Sequence, residues 1–294
     1  MKSSLPCLPC FLQQTIKAAS LSTDDTNLQK EILNTIARLL PGLDLEKSPP
    51  ENSIPVYETI ARLSGCSDPF LSLKDQSNNF ALGLMAEINK SITESPDPIF
   101  TAIIFSIAGN IIDYGSQQDF DAEQAIRKCL TSPLAINDYT KLRQDLEMSS
   151  RILYLGDNAG EIIFDRLVIE TIQHLLPGKE ITFVVKENPI INDALLKDAH
   201  DCGLTNLCRV ISNGTGCPGT PLSSCPKEFQ DIFADADLIL SKGQGNYETL
   251  SEVTAPLYFL LTVKCPIVGS HIYQQSNISV NKGELVLMKG SGIL

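Results

Sequence analysis

An α/β architecture, with a mainly parallel sheet, helices on both of its faces and an α-helical N-terminal domain before it, is predicted by three observations. The first half of the chain carries helical periodicity with almost no strand-like runs. Short β-branched and aliphatic runs begin at Arg151 and recur toward the C-terminus. An amphipathic helical pattern separates the first two runs, and the stretch from Leu155 to Ile181 is long enough for a right-handed crossover between parallel strands. The boundary falls near residue 148, giving a helical domain over 1–148 and an α/β domain over 149–294.

The helical elements follow in order. Leu28, Ile32, Ile36, Leu39 and Leu40 share one helical face, with Ser22, Thr23 and Asp24 as caps before them and Pro41-Gly42 as the stop. Val56 to Leu63 reads as a short helix ended by Gly65, and Phe70 to Ile88 as a longer one with Phe80, Leu84 and Ile88 on one side. Pro98 to Gly115 is apolar nearly all round, the pattern of a helix buried on every side, so Asn110 and Asp113 at its end need a reason to be there. Ala122–Leu130 and Asp138–Met148 complete this half.

The strand candidates are Arg151–Leu155, Ile181–Val185, Cys208–Ile211, Leu238–Leu240, Pro266–Val268 and Leu285–Leu287. Asn213 to Pro226, rich in Gly, Pro, Ser and Thr, is a loop.

A net charge of −12, from 23 basic and 35 acidic side chains, disfavours nucleic acid and anionic membrane surfaces as partners. No window has the length and apolarity of a membrane-spanning helix, and MKSSLPCLPCFLQQ lacks the h-region of a signal peptide, so a cytoplasmic protein is expected. The nine cysteines then read as reduced thiols. Cys7 and Cys10 form a CxxC, which one pair alone cannot turn into a four-ligand zinc site; a local structural role is expected, with a metal or redox role as the alternative.

Ligands of open α/β sheets bind beyond the carboxyl ends of the strands. Three such ends carry chemistry: Gly156-Asp157-Asn158-Ala159-Gly160-Glu161, then Lys186-Glu187-Asn188-Pro189-Ile190-Ile191-Asn192-Asp193, then Ser241-Lys242-Gly243-Gln244-Gly245-Asn246. Asp157, Asn158 and Asp193 are hard oxygen donors suited to Mg²⁺ or Mn²⁺. Each also has a plainer reading, Asp157 or Asn158 as the cap of the helix after Gly160, and Asn192 or Asp193 as the cap of a helix through Leu196. Neither glycine group has the G-x-G-x-x-G spacing, and Walker A, G-x-S-x-G and HExxH motifs are absent.

Taken in order, Cys7-x-x-Cys10, Asp68-Pro69 with Lys74, Gly109-Asn110-x-x-Asp113 and the three strand-end segments resemble the damage-control phosphatase family. This family was long catalogued as a domain of unknown function, and the resemblance is to its prokaryotic CxxC-bearing branch. It runs from the first ten residues to beyond residue 250. It implies a metal-dependent phosphoric monoester hydrolase acting on small phosphometabolites such as sugar phosphates or damaged phosphorylated intermediates. The metal ligands it implies are Asp157, Asn158 and Asp193, holding Mn²⁺, Mg²⁺, Co²⁺ or Ni²⁺. It further implies that Asn110 and Asp113 approach the site from the buried helix and that Lys242 contacts phosphate. Glu161 and Asn246 match motif positions without separable roles.

On that reading Lys242 neutralises developing charge on the phosphoryl group, backbone N–H groups from Gly156 to Gly160 add helix-terminal dipoles, and Asn110 and Asn246 stand on the substrate side. Asp113 or Glu161 serves as general base, and a route through an aspartyl phosphate on Asp157 stays open. Two rivals share the scaffold: a carboxyl methyltransferase, needing an adenosine pocket and no obligatory metal, and a non-catalytic metal- or metabolite-binding protein.

Overall fold

The structure, a computed structural model, describes residues 1–109 and 122–290. Helices α1 (Cys7–Ser22), α2 (Thr26–Leu39) and α3 (Pro49–Ser64) pack on one another at the start of the chain. Asp25 caps α2 by accepting from the Asn27 and Leu28 amides. Ser48 and Glu51 form a capping box on α3, and Gly65, at φ 71°, ends it. Phe11, Ile32, Ile36, Val56, Ile60 and Phe70 close a core between these helices. Helix α1 falls where the sequence suggested only a stretch broken by prolines. Pro6 lies at its N-cap and Pro9 in its first turn, where the missing N–H groups have no intrahelical partner to lose.

Helices α4 (Leu71–Thr93) and α5 (Pro98–Ala108) follow, α5 with nine of its eleven residues buried, as its all-round apolar pattern requires. Then come α6 (Ala122–Thr131), strand β1 (Leu134–Asn137), α7 (Tyr139–Met148), β2 (Arg151–Leu155), α8 (Glu161–Leu175), β3 (Glu180–Val185), α9 (Leu196–Asp201) and β4 (Arg209–Ser212). The chain continues through α10 (Lys227–Ala234), β5 (Leu238–Lys242), α11 (Gly243–Leu250), β6 (Leu257–Thr262), α12 (Pro266–Ser276) and β7 (Leu285–Lys289).

The seven strands form one sheet in the order β1-β7-β6-β5-β2-β3-β4, parallel at every pairing except β6 with β7. Alternation along β2 assigns its two faces. Ile152 and Tyr154 join the core under α4, α5, α7 and α8, whereas Leu153 and Leu155 join the core under α10, α11 and α12. The mixed α/β class with a mostly parallel sheet and helices on both faces is therefore the observed one.

Two elements differ from expectation. Pro266–Val268 is the first turn of α12 and not a strand, because Pro266 at N1 supplies a helix-compatible φ and lacks an N–H that the first turn would leave unpaired. The strand belonging there is β6, a continuous apolar run buried on both faces. Strand β1, on the helical side of residue 148, pairs with β7 at the sheet edge, and α4 and α5 share one core with the sheet. Among the described residues no helix is long and apolar enough to cross a membrane.

From β2 the chain proceeds through α8 to β3 on one side, and from the adjacent β5 it proceeds through α11 to β6 on the other. The carboxyl ends of β2 and β5 are thus a topological switch point, where open sheets leave a crevice.

Candidate active site

The loops after β2 and β3 are stitched together at this switch point. Asn158 and Asp193 form an isolated antiparallel bridge, the Ala194 amide donates to the Asp157 carbonyl at 2.8 Å, and the Ala159 amide donates to the Asn192 carbonyl at 2.9 Å. Neither plainer reading holds. Helix α8 is capped by Gly160, at φ 82°, with no side-chain cap, and its amide donates to Asn78 Oδ1 at 2.7 Å. Helix α9 begins after Leu195, whose amide donates to Asp198 Oδ2. The side chains of Asp157, Asn158 and Asp193 cap neither helix, yet these residues are 7%, 5% and 2% exposed, so their burial has another cause.

Asn158 Nδ2 donates to Asp157 Oδ2 at 2.9 Å and to Glu161 Oε1 at 2.7 Å, which commits the amide nitrogen and leaves the amide oxygen as an acceptor. Asp193 Oδ2 is buried without a hydrogen-bond donor, and Lys186 Nζ stands 3.7 Å from it. Burial pushes both carboxyls above the usual carboxylate range. At Asp157 the Glu161 charge adds to this; at Asp193 the Lys186 ammonium opposes it and the Asp157 charge reinforces it. Space for these groups comes partly from Gly243, where φ is +79° and a Cβ would lie 2.0 Å from Asp157 Oδ2.

A second layer supports the first. Lys242 Nζ donates to Asp165 Oδ1 at 2.8 Å and lies 3.5 Å from Glu161 Oε2, with all three side chains almost fully buried. Tyr154 and Ser106 hydroxyls donate to the same Asp165 oxygen. Burial alone would lower the Lys242 ammonium, but Asp165 and Glu161 outweigh it and hold the group charged. Asn246 Nδ2 donates to the Lys242 and Gly156 carbonyls, and its Oδ1 accepts from Thr220.

A cavity of about 640 Å³ opens over this floor, walled by α1, α3 and α4 on one side and by the start of α12 on the other. Asp157, Asn158, Asp193, Glu248, Lys264 and Lys17 line it, together with Phe11, Tyr57 and Phe70. Burial pushes the Glu248 carboxyl up to about 7, and Gln244 Nε2 donates to it at 2.9 Å.

The structure thus brings together Asp157, Asn158 and Asp193, with Glu161 behind them. Gly160, Lys242 and Asn246 brace the loops from beneath and do not line the cavity. Asn110 and Asp113 lie outside the described residues; Gly109, just before them, packs against Phe164 and Glu161. Asp68 and Lys74 form a largely buried ion pair at 2.6 Å near the start of α4. Asp165, Asn78 and Glu248 are not legible in the sequence, and Lys186 stands there only as the first residue of the second strand end, with no role given to it. The first three sit inside helices, where a polar side chain on the buried face is the only sign.

Among the described residues no group of three or more His, Cys, Asp or Glu side chains is arranged to hold a metal ion. Two buried carboxylates and a carboxamide have the chemistry of a donor set that would suit a hard cation completed by water or substrate. The Asp193 oxygen that lacks a hydrogen-bond donor and the raised carboxyls fit such an ion, because a cation would satisfy the first and relieve the second.

The family model described as Damage-control phosphatase ARMT1-like domain matches residues 4–278. The chain belongs to this family. Within it, a damage-control phosphatase of Pyrococcus horikoshii is 34% identical over 98% of this chain and 98% of its own. A damage-control phosphatase of Archaeoglobus fulgidus is 33% identical over 97% and 98%. An uncharacterized protein of Methanocaldococcus jannaschii is 33% identical over 96% and 94%. The crystal structure of a DUF89 family protein from Pyrococcus horikoshii superposes with a TM-score of 0.90 at 32% identity, covering 99% of this chain and 100% of that one.

Proposed function

We propose that this chain is a divalent-metal-dependent phosphatase of small phosphorylated metabolites, with its ion held by Asp157, Asn158 and Asp193. The observation that carries the reading is the pair of buried, uncapping carboxylates, joined through the Asn158–Asp193 bridge at the sheet's switch point and opening on a cavity. The names of its relatives support the reaction type, and sugar phosphates or damaged phosphorylated intermediates are the substrates proposed.

The bound cation, Mn²⁺, Mg²⁺, Co²⁺ or Ni²⁺, would supply Lewis-acid polarisation of a phosphoryl oxygen. The remaining work falls to the chain. Lys264, exposed on the cavity wall, attracts the anionic ester against a protein net charge of −12. Lys242, bonded to Asp165, and Lys186, bonded to the Gly219 carbonyl and 3.7 Å from Asp193, brace the floor from beneath. Glu248, with a carboxyl near neutrality, accepts or returns a proton at the cavity edge. The volume lies within the roughly 300–1,000 Å³ of small-molecule sites, and Tyr57 and Phe70 pack the body of the substrate.

The test is hydrolysis of an aryl phosphate by metal-stripped protein, restored singly with each of the four ions, beside Asp157→Ala and Asp193→Ala. Activity should return with metal and be lost in both variants. Folded protein that binds no divalent ion, or that keeps its activity in Asp193→Ala, would overturn the assignment.

A further inference from the structure

The CxxC motif is not absorbed by the phosphatase reading. Its full form is Cys7-Leu8-Pro9-Cys10, and the structure makes Cys7 the first residue of the 16-residue helix α1 and places Cys10 in the same turn. Helix geometry sets the two Cα atoms about 5 Å apart, inside the roughly 4.4–6.8 Å that a disulfide accepts. Both thiols are free, Cys7 half-buried and Cys10 exposed.

Three further features bear on the sulfurs. Helix α1 has no side-chain cap and no acidic residue in its first turn, so its dipole faces this pair; the Cys7 and Leu8 amides are already bonded to the Ser4 and Leu5 carbonyls, Pro9 has none, and burial pushes the Cys10 thiol up. Donors reach each sulfur, the Ser4 amide at 3.5 Å from Cys7 Sγ and Gln14 Nε2 at 3.5 Å from Cys10 Sγ. Both cysteines line the same cavity as Asp157 and Asp193, with Cys265 as a third thiol on that lining. A dithiol that only packed α1 against its neighbours would be buried in the α1–α3 core, whereas Cys10 is outside it.

We propose that Cys7 and Cys10 are a redox-active dithiol site in the cavity wall, oxidised by small-molecule disulfides. The exposed Cys10 thiolate attacks one sulfur of the disulfide RSSR; that S–S bond breaks, RS⁻ leaves, and Cys10 carries the mixed disulfide. The Cys7 thiolate then attacks the Cys10 sulfur and releases the second RS⁻. Two cysteine thiols lose two electrons and two protons, and RSSR is reduced to two RSH. This chemistry stands apart from phosphate hydrolysis, so either can fail without the other.

The reduced full-length protein is incubated with oxidised glutathione at mildly alkaline pH, alkylated, digested and mapped by non-reducing mass spectrometry. The peptide holding Cys7 and Cys10 should lose two hydrogens and escape alkylation before Cys66 or Cys265 reacts. In Cys7→Ser, glutathione should accumulate on Cys10, because the resolving thiol is gone. Full alkylation of both cysteines in the wild type, a stable glutathione adduct on wild-type Cys10, or a Cys10–Cys265 bond in place of Cys7–Cys10 would each overturn the proposal. The wild-type map decides the matter even if a variant misfolds.

Discussion

Asn158 and Asp193 pair through an isolated backbone bridge, so a residue three positions beyond one strand end and a residue eight positions beyond another are held together. The bridge sets the relative position of the three candidate donors with main-chain hydrogen bonds instead of flexible side chains. Its consequences can be measured.

Gly243→Ala should damage the site more than the fold. A Cβ there meets the Asp157 carboxylate and must adopt a positive φ, a strain of about 1–3 kcal/mol. Thermal denaturation should show a loss of that size, while Mn²⁺ titration calorimetry should show affinity lowered by roughly tenfold or more, the scale of disturbing a ligand's support.

Metal should stabilise the protein more as pH rises. The Asp157 and Asp193 carboxyls are raised in the folded state, so below about pH 4 both states are protonated and the pair contributes nothing. Above it the unfolded chain ionises freely while the folded chain holds its protons, and metal-free stability falls toward the raised folded values. Melting curves from pH 4 to 8 should show a decline in metal-free protein, a shallower one in Asp193→Asn, and a Mn²⁺-induced gain that grows with pH.

Lys242→Met should cost about 3–5 kcal/mol, because it strands the Asp165 carboxylate in a dry interior. Adding Asp165→Asn should recover part of the loss. Equal stability of the single and double variants in chemical denaturation would deny the pairing its role.

Asn78→Ala removes both the acceptor of the Gly160 amide and a donor to Asp198, linking α4 to α8 and α9. A loss of about 1–3 kcal/mol is expected for the stranded groups, measured by denaturant titration.

Glu248→Gln should lower kcat and leave metal affinity near its original value. The wild-type rate should rise with pH through about 7, as the Glu248 carboxyl ionises, and the variant should lose that limb of the kcat profile.

Much of this site was legible one strand at a time. Runs such as Arg151–Leu155 and Ile181–Val185 are bounded by their own composition, and the polar residues after them stand out against it. Strand β6 was missed although Pro256 stands directly before it, since a short run that is apolar at nearly every position does not declare its period. Helix α1 was missed because proline reads as a breaker until its position in the first turn is known.

Whether Asp157 caps a helix or faces a cavity was not legible, because the local chemistry is the same in both. The answer depended on the loop geometry, in which Asn78, 82 residues before Gly160, accepts the Gly160 amide and Gly160 itself takes the N-cap position. The sequence by itself determined the α/β class, the strand ends and the oxygen-donor residues upon them, because periodicity and turn chemistry act between near neighbours. Only the tertiary structure decided which strand ends meet, which lysines are buried and that the CxxC faces the same cavity. Those relations follow from the strand order that buries both faces of the sheet, and near neighbours in the chain do not encode it.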